Sequence, residues 1–307
     1  MNIIRQAAEL ANRNRKVCVA IGVFDGVHLG HEQVIRQTVA DAGQHEGVPV
    51  VITFDRHPNE IVSPAKVPPL IYSLPQKLRV FESLGAGSTL LVHFDQAFCR
   101  IPAEDFIRGL VRDFKMVHSV CVGSQFTFGH QRRGNVELLK KLGHELNFIV
   151  HGLAAVSLDG EIVSSTRIRE AIRRGNLDEA GQMLGRSYTL AGTVVRGDQL
   201  GHKIGFPTAN LDVAGLVLPP HGVYAVHATV EKKTWRAALN IGLRPTLGHP
   251  TPQRRVEAHL LEFSGDLYGR EMEIEFVEKL RDEKQFPSLE ELKKQIARDI
   301  AEAEKRF

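Results

Sequence analysis

Near the start of the chain, an apolar run is followed by a glycine-rich turn and then by an amphipathic stretch, and this order constrains the fold strongly. Residues 17–21 (VCVAI) are all apolar, which predicts a buried strand. The segment 22–31 (GVFDGVHLGH) comes next, and apolar residues then recur at helical spacing from Glu32 to about Gln44. Three glycines allow a tight turn and a close approach to a ligand: Gly22, Gly26 and Gly30. Because a helix N-terminus attracts anions, the stretch suits a phosphate.

Two histidines stand three residues apart in this turn. His28 and His31 can point into one cleft and donate hydrogen bonds to phosphate oxygens. A catalytic zinc site normally has three protein ligands, and no third ligand lies nearby in the sequence. A metal site and a pair of loop histidines without function remain the alternatives. The spacing also differs from the G-x-G-x-x-G of dinucleotide-binding folds.

Strands and helices alternate through the rest of the first half, which favours a parallel, doubly wound sheet. The predicted strands are residues 48–54, 89–94 and 119–123, and the predicted helices are about 75–84 and 103–114. Residues 1–15 are predicted to be irregular or helical. Ligands bind such sheets at the carboxyl ends of the strands. Asp55 follows the second strand there, and Gln125 lies in the segment 123–129 (GSQFTFG) after the fourth, for which a plain loop with packed phenylalanines is the alternative.

A second group of residues suited to an anion lies at 164–169 (SSTRIR). Hydroxyl residues before an apolar helical run are typical of helix N-caps, and Gly175 is a plausible stop. A cap alone would explain one hydroxyl. Three hydroxyls and two arginines at the start of one helix predict an anion-binding site, because the backbone N–H groups, the helix dipole and the guanidinium groups all attract negative charge. These residues are Ser164, Ser165, Thr166, Arg167 and Arg169.

After residue 185 the helical spacing gives way to five short alternating runs, which predicts a small antiparallel barrel or sandwich. The runs are residues 188–195, 223–230, 235–241, 256–263 and 271–277. A C-terminal helix begins at Ser288, which forms a capping box with Glu291. We therefore predict two domains, 1–185 and 186–307, with the helix closing the barrel.

The second half contains two candidate groups for phosphoryl chemistry. Thr208 and Asn210 lie on a proline-stiffened segment after the glycine-rich loop 197–205, where a hydroxyl can ligate magnesium. A loop without function is the alternative. Glu257 alternates with Val256 and Ala258, so we expect a carboxylate facing into the barrel mouth, which is costly unless it is paired or works as a base. A surface glutamate is the alternative there.

Composition limits the classes of function. The net charge of +3 in 307 residues is too small to indicate nucleic-acid binding, and acidic and basic residues are interspersed along the chain rather than grouped in blocks. Cys18, Cys99 and Cys121 form no C-x-x-C pair and indicate reduced thiols. No apolar run is long enough to predict a membrane span, and no export signal is evident. We expect a cytoplasmic protein that binds neither nucleic acid nor a membrane.

The H-x-G-H element after the first strand resembles that of the nucleotidyltransferase superfamily. The longer string GVFDGVHLGH is similar to the N-terminal signature of bacterial bifunctional riboflavin kinase/FMN adenylyltransferases, also called FAD synthetases. The segment 164–169 resembles the superfamily's S-S-T-x-I-R signature. The segment 123–129 is similar to a G-x-(Asn/Asp)-F-x-F-G motif, with Gln125 at the Asn/Asp position, and Arg56 replaces a proline usual after Asp55.

This resemblance implies that residues of the first domain hold and stabilise a nucleotide triphosphate. The implied catalytic residues are His28, His31 and Arg169. The implied binding residues are Gly22, Phe24, Asp25, Gly26, Gly30, Asp55, Gln125, Ser164, Ser165 and Thr166.

Strings in the second half also resemble this family. Residues 205–210 (GFPTAN) resemble its kinase motif, which implies that Thr208 and Asn210 bind Mg-ATP, with Gly205 and Pro207 in the binding loop. Residues 257–259 (EAH) resemble an E-x-H strand of the kinase family. This implies that Glu257 is the base that takes the proton from the ribityl 5′-hydroxyl. Residues 240–246 and 280–286 match as well. The latter implies that Arg281 lies at the flavin or nucleotide site, with a surface salt bridge as the alternative.

The resemblance implies ATP-dependent phosphorylation of riboflavin to FMN, with Mg²⁺, in the second domain. It implies adenylylation of FMN to FAD, with release of pyrophosphate, in the first. Two alternatives remain: a kinase whose adenylylation is weakened or lost, motivated by Gln125, and a flavin- or nucleotide-binding regulator of nucleic acid. The sequence gives no oligomeric state.

Overall fold

A computed structural model describes residues 1–13, 15–197, 201, 204–244 and 253–307. The predictions for most of the loop 197–205 and for Pro245 and Thr246 therefore lie outside the described residues. The chain forms two compact units, Met1–Ser165 and Thr166–Phe307. Residues 166–185 fall in the second unit, whereas the sequence analysis assigned them to the first domain. The domain boundary at 185/186 remains a prediction.

The first unit contains a six-stranded parallel sheet in the order β1-β4-β3-β2-β5-β6. Its strands are β1 (Asn2–Ile4), β2 (Val17–Ile21), β3 (Val48–Phe54), β4 (Ser88–Val92), β5 (Val117–Gly123) and β6 (Ile149–Leu153). A two-stranded hairpin follows, formed by β7 (Ser157–Leu158) and β8 (Glu161–Ile162). Strands β1 and β6, which form the two edges of the sheet, were not predicted from the sequence. Edge strands here are short or carry exposed residues, so their apolar signal is weak.

Helices connect these strands and continue into the second unit. They are α1 (Leu29–Gln44), α2 (Asn59–Val62), α3 (Leu74–Ser83), α4 (Ala103–Phe114), α5 (Val136–Leu146), α6 (Ser165–Arg174), α7 (Leu177–Leu184) and α8 (Leu289–Glu304). Short 3₁₀ turns occupy Ala7–Arg13, Asp25–Val27, Pro64–Lys66, Phe98–Arg100 and His130–Arg132. Helix α1 begins three residues earlier than predicted, so it includes His31.

The central strands bury both of their faces. In β2, Val17, Val19 and Ile21 belong to the core on one side of the sheet, whereas Ala20 belongs to the core on the other side. A strand that is covered by helices on both faces has no wet side. This explains why residues 17–21 are apolar throughout rather than alternating.

The second unit contains a closed antiparallel barrel in the order β10-β13-β12-β11-β14-β9, with β9 paired to β10. Its strands are β9 (Thr189–Val195), β10 (Ala209–Asp212), β11 (Gly222–Val230), β12 (Lys233–Arg244), β13 (Gln253–Leu260) and β14 (Glu271–Arg281). The predicted α/β sheet and antiparallel barrel are thus confirmed, and the sandwich is not observed. The short strand β10 was missed because four residues give too little alternation to stand out.

Alternation along the barrel strands separates a packed interior from an outer face. Val256, Ala258 and Leu260 lie in the interior core. The C-terminal helix α8 lies against the outer face, where Ala303 packs with Ala238. Among the described residues, no helix is both long and apolar enough to cross a membrane.

Candidate active sites

The turn between β2 and α1 has unusual backbone geometry. Phe24, Gly26 and Val27 all adopt positive φ angles, of 52°, 76° and 43°. A Cβ atom at Gly26 would also lie 2.9 Å from the Cδ1 atom of Ile71, so this position requires glycine for two reasons. The backbone thus makes a sharp reversal at the carboxyl end of β2 before the helix begins.

The two predicted histidines meet at the N-terminus of α1. His28 is the N-cap residue, His31 lies in the first turn, and their ring centroids are 3.6 Å apart in a stacked arrangement. Gly30 makes room for this pair, because a Cβ atom there would lie 3.3 Å from Cε1 of His28. Phe24 is buried and presents its ring to the edge of His31 at 5.2 Å. Imidazoles beside the N–H groups of a helix N-terminus suit a phosphate.

Asp25 joins the turn to the segment that enters α3. Its buried carboxylate accepts hydrogen bonds from the backbone N–H of Ile71 at 2.9 Å and of Tyr72 at 3.4 Å. Its backbone carbonyl oxygen accepts a hydrogen bond from the Ser165 hydroxyl at 3.1 Å. The Ser165 hydroxyl, one of the three predicted in the 164–169 segment, therefore contacts the turn.

Asp55 follows β3, where ligand-binding residues were expected. Its carboxylate accepts hydrogen bonds from His93 Nδ1 at 2.6 Å and from the Phe94 backbone N–H at 3.2 Å. Burial alone would raise the pKa of Asp55, but these hydrogen bonds outweigh it and hold the pKa below its ordinary value. The carboxylate is thus kept ionised at the edge of the sheet.

Lys77 is a buried residue at this edge that the sequence analysis did not identify. Its ammonium group reaches from α3 to oxygen atoms at the ends of β2 and β3. Desolvation lowers the pKa of Lys77 to about 8, although attraction to Asp25 and Asp55 opposes the shift. The sequence could have indicated that Lys77 is buried, because it lies one helical turn before Phe81 on the apolar side of α3.

The roles predicted for the first domain all stay predictions, and four more of its predicted residues can be placed. Gln125 is exposed in the segment after β5, where Phe126 and Phe128 stack with ring centroids 5.4 Å apart. Thr166 is exposed and Arg169 is buried, and both belong to the second compact unit. Gly22 makes room for Phe24, since a Cβ atom there would lie 2.9 Å from the phenyl ring.

A cavity of about 390 Å³ lies on the outer face of the barrel, and it brings together four of the predicted residues of the second domain, whereas Gly205 and Pro207 are not part of its lining. Its polar lining includes Thr208, Asn210, Asn240, Arg255, Glu257, His259, Arg281 and Asp299, and its apolar lining includes Leu292, Ile296 and Ile300 of α8. Thr208, Asn210, Glu257 and Arg281 thus lie around one space, and their roles remain predictions.

Strand register explains how three of these side chains meet. Glu257 of β13 lies directly opposite Asn210 of β10 on one side and Asn240 of β12 on the other. Directly opposed residues share a face of the sheet. Because Val256 and Ala258 point into the core, this row lies on the outer face. The expectation that Glu257 faces the barrel mouth was therefore wrong. The interior is filled by apolar side chains, and the site is built outside it.

Small residues shape the binding loop. A Cβ atom at Gly197 would lie 2.5 Å from the Asn210 amide, and one at Gly201 would lie 3.1 Å from the Thr208 hydroxyl and 2.4 Å from the Phe206 carbonyl oxygen. Gly205 has a φ of +91°. The Pro207 carbonyl oxygen accepts a hydrogen bond from His259 Nδ1 at 2.8 Å, which connects the loop to β13.

Two ion pairs lie in the lining of the cavity. Arg255 Nη1 lies 3.3 Å from Glu257 Oε1. Arg281 makes a two-pronged contact with Asp299 of α8, from Nε at 2.8 Å and from Nη2 at 2.6 Å. Arg281 thus forms an ion pair, but the pair is largely buried rather than on the surface, with 16% and 9% of the two side chains exposed.

The donor set fits a magnesium ion. Mg²⁺ prefers oxygen ligands and usually keeps several waters, so a site needs few protein ligands. The Thr208 hydroxyl and the Asn210 side-chain oxygen line the same cavity as the Glu257 carboxylate. The described residues contain no group of three or more His, Cys, Asp or Glu side chains that could hold a metal.

Two family models together match most of the chain. The FAD synthetase family matches residues 10–167, and the riboflavin kinase family matches residues 184–307. Curated relatives match along almost their whole length. The bifunctional riboflavin kinase/FMN adenylyltransferase of Escherichia coli strain K12 is 38% identical, with 100% of this chain and 98% of the relative covered. The protein of that name from Haemophilus influenzae is 35% identical, with 97% and 96% covered.

The chain belongs to the bifunctional riboflavin kinase/FMN adenylyltransferase family. It is an enzyme of flavin nucleotide synthesis, and the alternative of a nucleic-acid regulator is not supported. A crystal structure described as that of a macrolide-efflux protein from Streptococcus pneumoniae is also similar. It has 28% identity and a TM-score of 0.80, over 97% of each chain.

Within this family assignment, two features of the kinase cavity were missed by the sequence analysis. Asn240 was noticed only as part of a matching string, and Asp299 was not singled out. Asn240 could have been found from its place two residues before Gly242 in a strand. Asp299 carries no local signal, because its partner Arg281 lies 18 residues earlier in another element.

Proposed function

We propose that the two compact units divide the family's two reactions between them. The barrel cavity transfers the terminal phosphoryl group of ATP to the 5′-hydroxyl of riboflavin and gives FMN. The sheet edge of the first unit transfers AMP from a second ATP to FMN and gives FAD and pyrophosphate. The observation that carries this proposal is that each unit has its own group of polar side chains suited to phosphate chemistry.

In the kinase reaction, Glu257 accepts the proton of the attacking hydroxyl. That oxygen bonds to the terminal phosphorus while the bond to ADP breaks, and ADP leaves. The contact with Arg255 at 3.3 Å orients the carboxylate along the row that it shares with Asn210 and Asn240. The apolar side chains of α8 in the cavity wall suit the flavin ring.

Thr208 and Asn210 would hold Mg²⁺, which neutralises phosphate charge when it is bound. The close packing of Gly197 and Gly201 against these two side chains fixes their rotamers before ATP arrives. Because phosphoryl transfer depends mainly on positioning and charge stabilisation, such rigidity serves catalysis directly.

In the adenylylation reaction, an FMN phosphate oxygen attacks the α-phosphorus of ATP. The bond from that phosphorus to the bridging oxygen breaks, and pyrophosphate leaves, so no proton transfer is required. His28 and His31 donate hydrogen bonds to the phosphate oxygens as charge shifts toward pyrophosphate. Ser165, whose hydroxyl contacts the turn, adds a further polar group for the nucleotide.

Two variants test the proposed division. Glu257→Gln should lower the rate of FMN formation from riboflavin and ATP by about 10²–10⁴-fold, the usual contribution of a general base, and leave FAD formation from supplied FMN unchanged. The double variant His28→Ala/His31→Ala should show the opposite split. Products are separated by chromatography after incubation with ATP and magnesium.

Matched controls exclude a general effect of substitution. Glu275→Gln changes an exposed strand glutamate of the same barrel, and His144→Ala changes an exposed histidine of α5; both should keep both activities. If Glu257→Gln keeps FMN formation, the assignment of Glu257 as the base is wrong. If the double histidine variant loses FMN formation and retains FAD formation, the proposed allocation is wrong.

A further inference from the structure

Lys77 has no place in the two reactions described above, yet it occupies a central position in the first unit. Only 9% of the residue is exposed, although lysine is among the residues least often buried. It projects from α3 toward the point where β2 and β3 end. A buried ammonium group at a ligand-binding sheet edge calls for a reason beyond packing.

The ammonium group has three N–H donors, and three oxygen atoms surround it. Nζ lies 3.2 Å from the Val23 carbonyl oxygen, 3.1 Å from Thr53 Oγ1 and 3.4 Å from the Phe54 carbonyl oxygen. The Thr53 hydroxyl in turn donates to the Val23 carbonyl oxygen at 3.1 Å. Lys77 therefore connects the first residues of the imidazole-bearing turn to the end of β3.

Each of the two connected segments leads directly to a site residue. Val23 lies at the start of the turn that leads to His28 and His31, and Phe54 precedes Asp55. The turn is held from the other side by the Asp25 carboxylate, which accepts N–H groups of the segment entering α3. The ends of β2 and β3 are thus tied to α3 and the segment before it by two charged groups. One is the Lys77 ammonium group and the other is the Asp25 carboxylate.

We propose that Lys77 is a positioning residue for adenylylation, and that its ammonium group sets the relative placement of the histidine turn and the end of β3. It acts through these segments and does not itself contact the reacting phosphorus. The inference rests on the proposed location of adenylylation in the first unit.

The electrostatic surroundings make this role sensitive to pH. Asp25 from the turn and Asp55 from the segment after β3 are the charged groups whose attraction acts on Lys77, and Asp55 is itself paired with His93 and lies 3.7 Å from Arg56. Desolvation nevertheless lowers the pKa of Lys77 to about 8. The group is protonated below that pH and loses its charge, and one donor, as the pH rises through it.

The first test uses Lys77→Met, which keeps an unbranched side chain and removes the charge and the donors. FAD formation from FMN and ATP should fall by about 10²-fold at pH 7.5, since a misplacement of about 1 Å in a site costs that much. FMN formation from riboflavin by the same molecules should stay within about twofold. Lys141→Met, at an exposed lysine of α5, is the control and should change neither rate.

Two further measurements keep the proposal testable if Lys77→Met folds poorly. Wild-type FAD formation should decline between pH 7 and 9 with a midpoint near 8, relative to FMN formation in the same samples. Thr53→Val keeps Lys77 but removes both the acceptor for Lys77 and the hydroxyl's hydrogen bond to Val23, and it should lower FAD formation by at least about tenfold. A folded Lys77→Met within threefold of wild type, a level wild-type profile or a fully active Thr53→Val would each overturn the inference.

The outcome separates this inference from the proposed function. If His28→Ala/His31→Ala abolishes FAD formation but Lys77→Met does not, only the role of Lys77 fails. If the histidine variant retains FAD formation, the proposed location of the reaction fails first.

Discussion

The ion pair between α8 and the barrel gives a stability prediction whose size can be worked from the contacts. Asp299 accepts two hydrogen bonds from Arg281, at 2.8 and 2.6 Å, and a third from Gln295 at 2.8 Å. Removing one partner of a buried pair usually costs about 3–5 kcal/mol, because the other charge is left uncompensated. Arg281 keeps a hydrogen bond to the Asp282 carbonyl oxygen, at 2.8 Å, and a contact with the Phe286 ring. We therefore expect about 3 kcal/mol, the low end, for Asp299→Ala.

The chain offers a selective assay for this change. Its one tryptophan, Trp235, lies on β12, so tryptophan fluorescence during urea unfolding reports on the barrel and not on the first unit. The control is Glu290→Ala, which removes an exposed α8 partner of Lys293 at 3.6 Å and should cost less than about 1 kcal/mol. Because Asp299 lines the cavity, FMN formation should also fall while FAD formation from FMN persists. If Asp299→Ala and Glu290→Ala unfold at the same urea concentration, the pair does not hold α8 in place.

Two further predictions concern packing and burial. Gly197→Ala should reduce FMN formation and spare FAD formation, because the added methyl group would lie 2.5 Å from the Asn210 amide and displace it; chromatography of the products measures both rates. Burial raises the pKa of the Cys121 thiol to about 12 and also raises that of Cys18, so both should resist a thiol reagent at pH 8. Thiol titration should count one reactive group, Cys99, in the native protein and three after unfolding, and rapid labelling of all three in the native state would contradict the packing.

Much of the architecture follows from local patterns. The uniform apolar run 17–21 predicts a central strand, and helix α4 has the predicted bounds Ala103–Phe114. The alternation in 271–277 predicts a half-buried strand, which the structure extends to Arg281. These elements are set by neighbours along the chain, so their signals are readable. Short or edge elements such as β1, β6 and β10 were missed because their residues are stabilised chiefly by pairing with distant strands.

The side of the barrel on which Glu257 lies shows the limit of such patterns. Alternation correctly separates Glu257 from Val256 and Ala258, but it cannot say what covers the opposite face. The apolar residues fill the interior, and the carboxylate faces outward into a cavity whose far wall includes α8. That wall comes from a segment more than thirty residues further along the chain.

The sequence by itself determined the residue types and their local spacing: the histidine turn at the end of β2, the hydroxyls at the start of α6, and the row-forming residues of the kinase strands. Only the tertiary structure decided which distant groups complete each site. The three oxygen partners of Lys77 and the pairing of Arg281 with Asp299 join residues from separate elements. Such contacts form only when strands and helices pack against one another, so they cannot be predicted from the periodicity of the sequence.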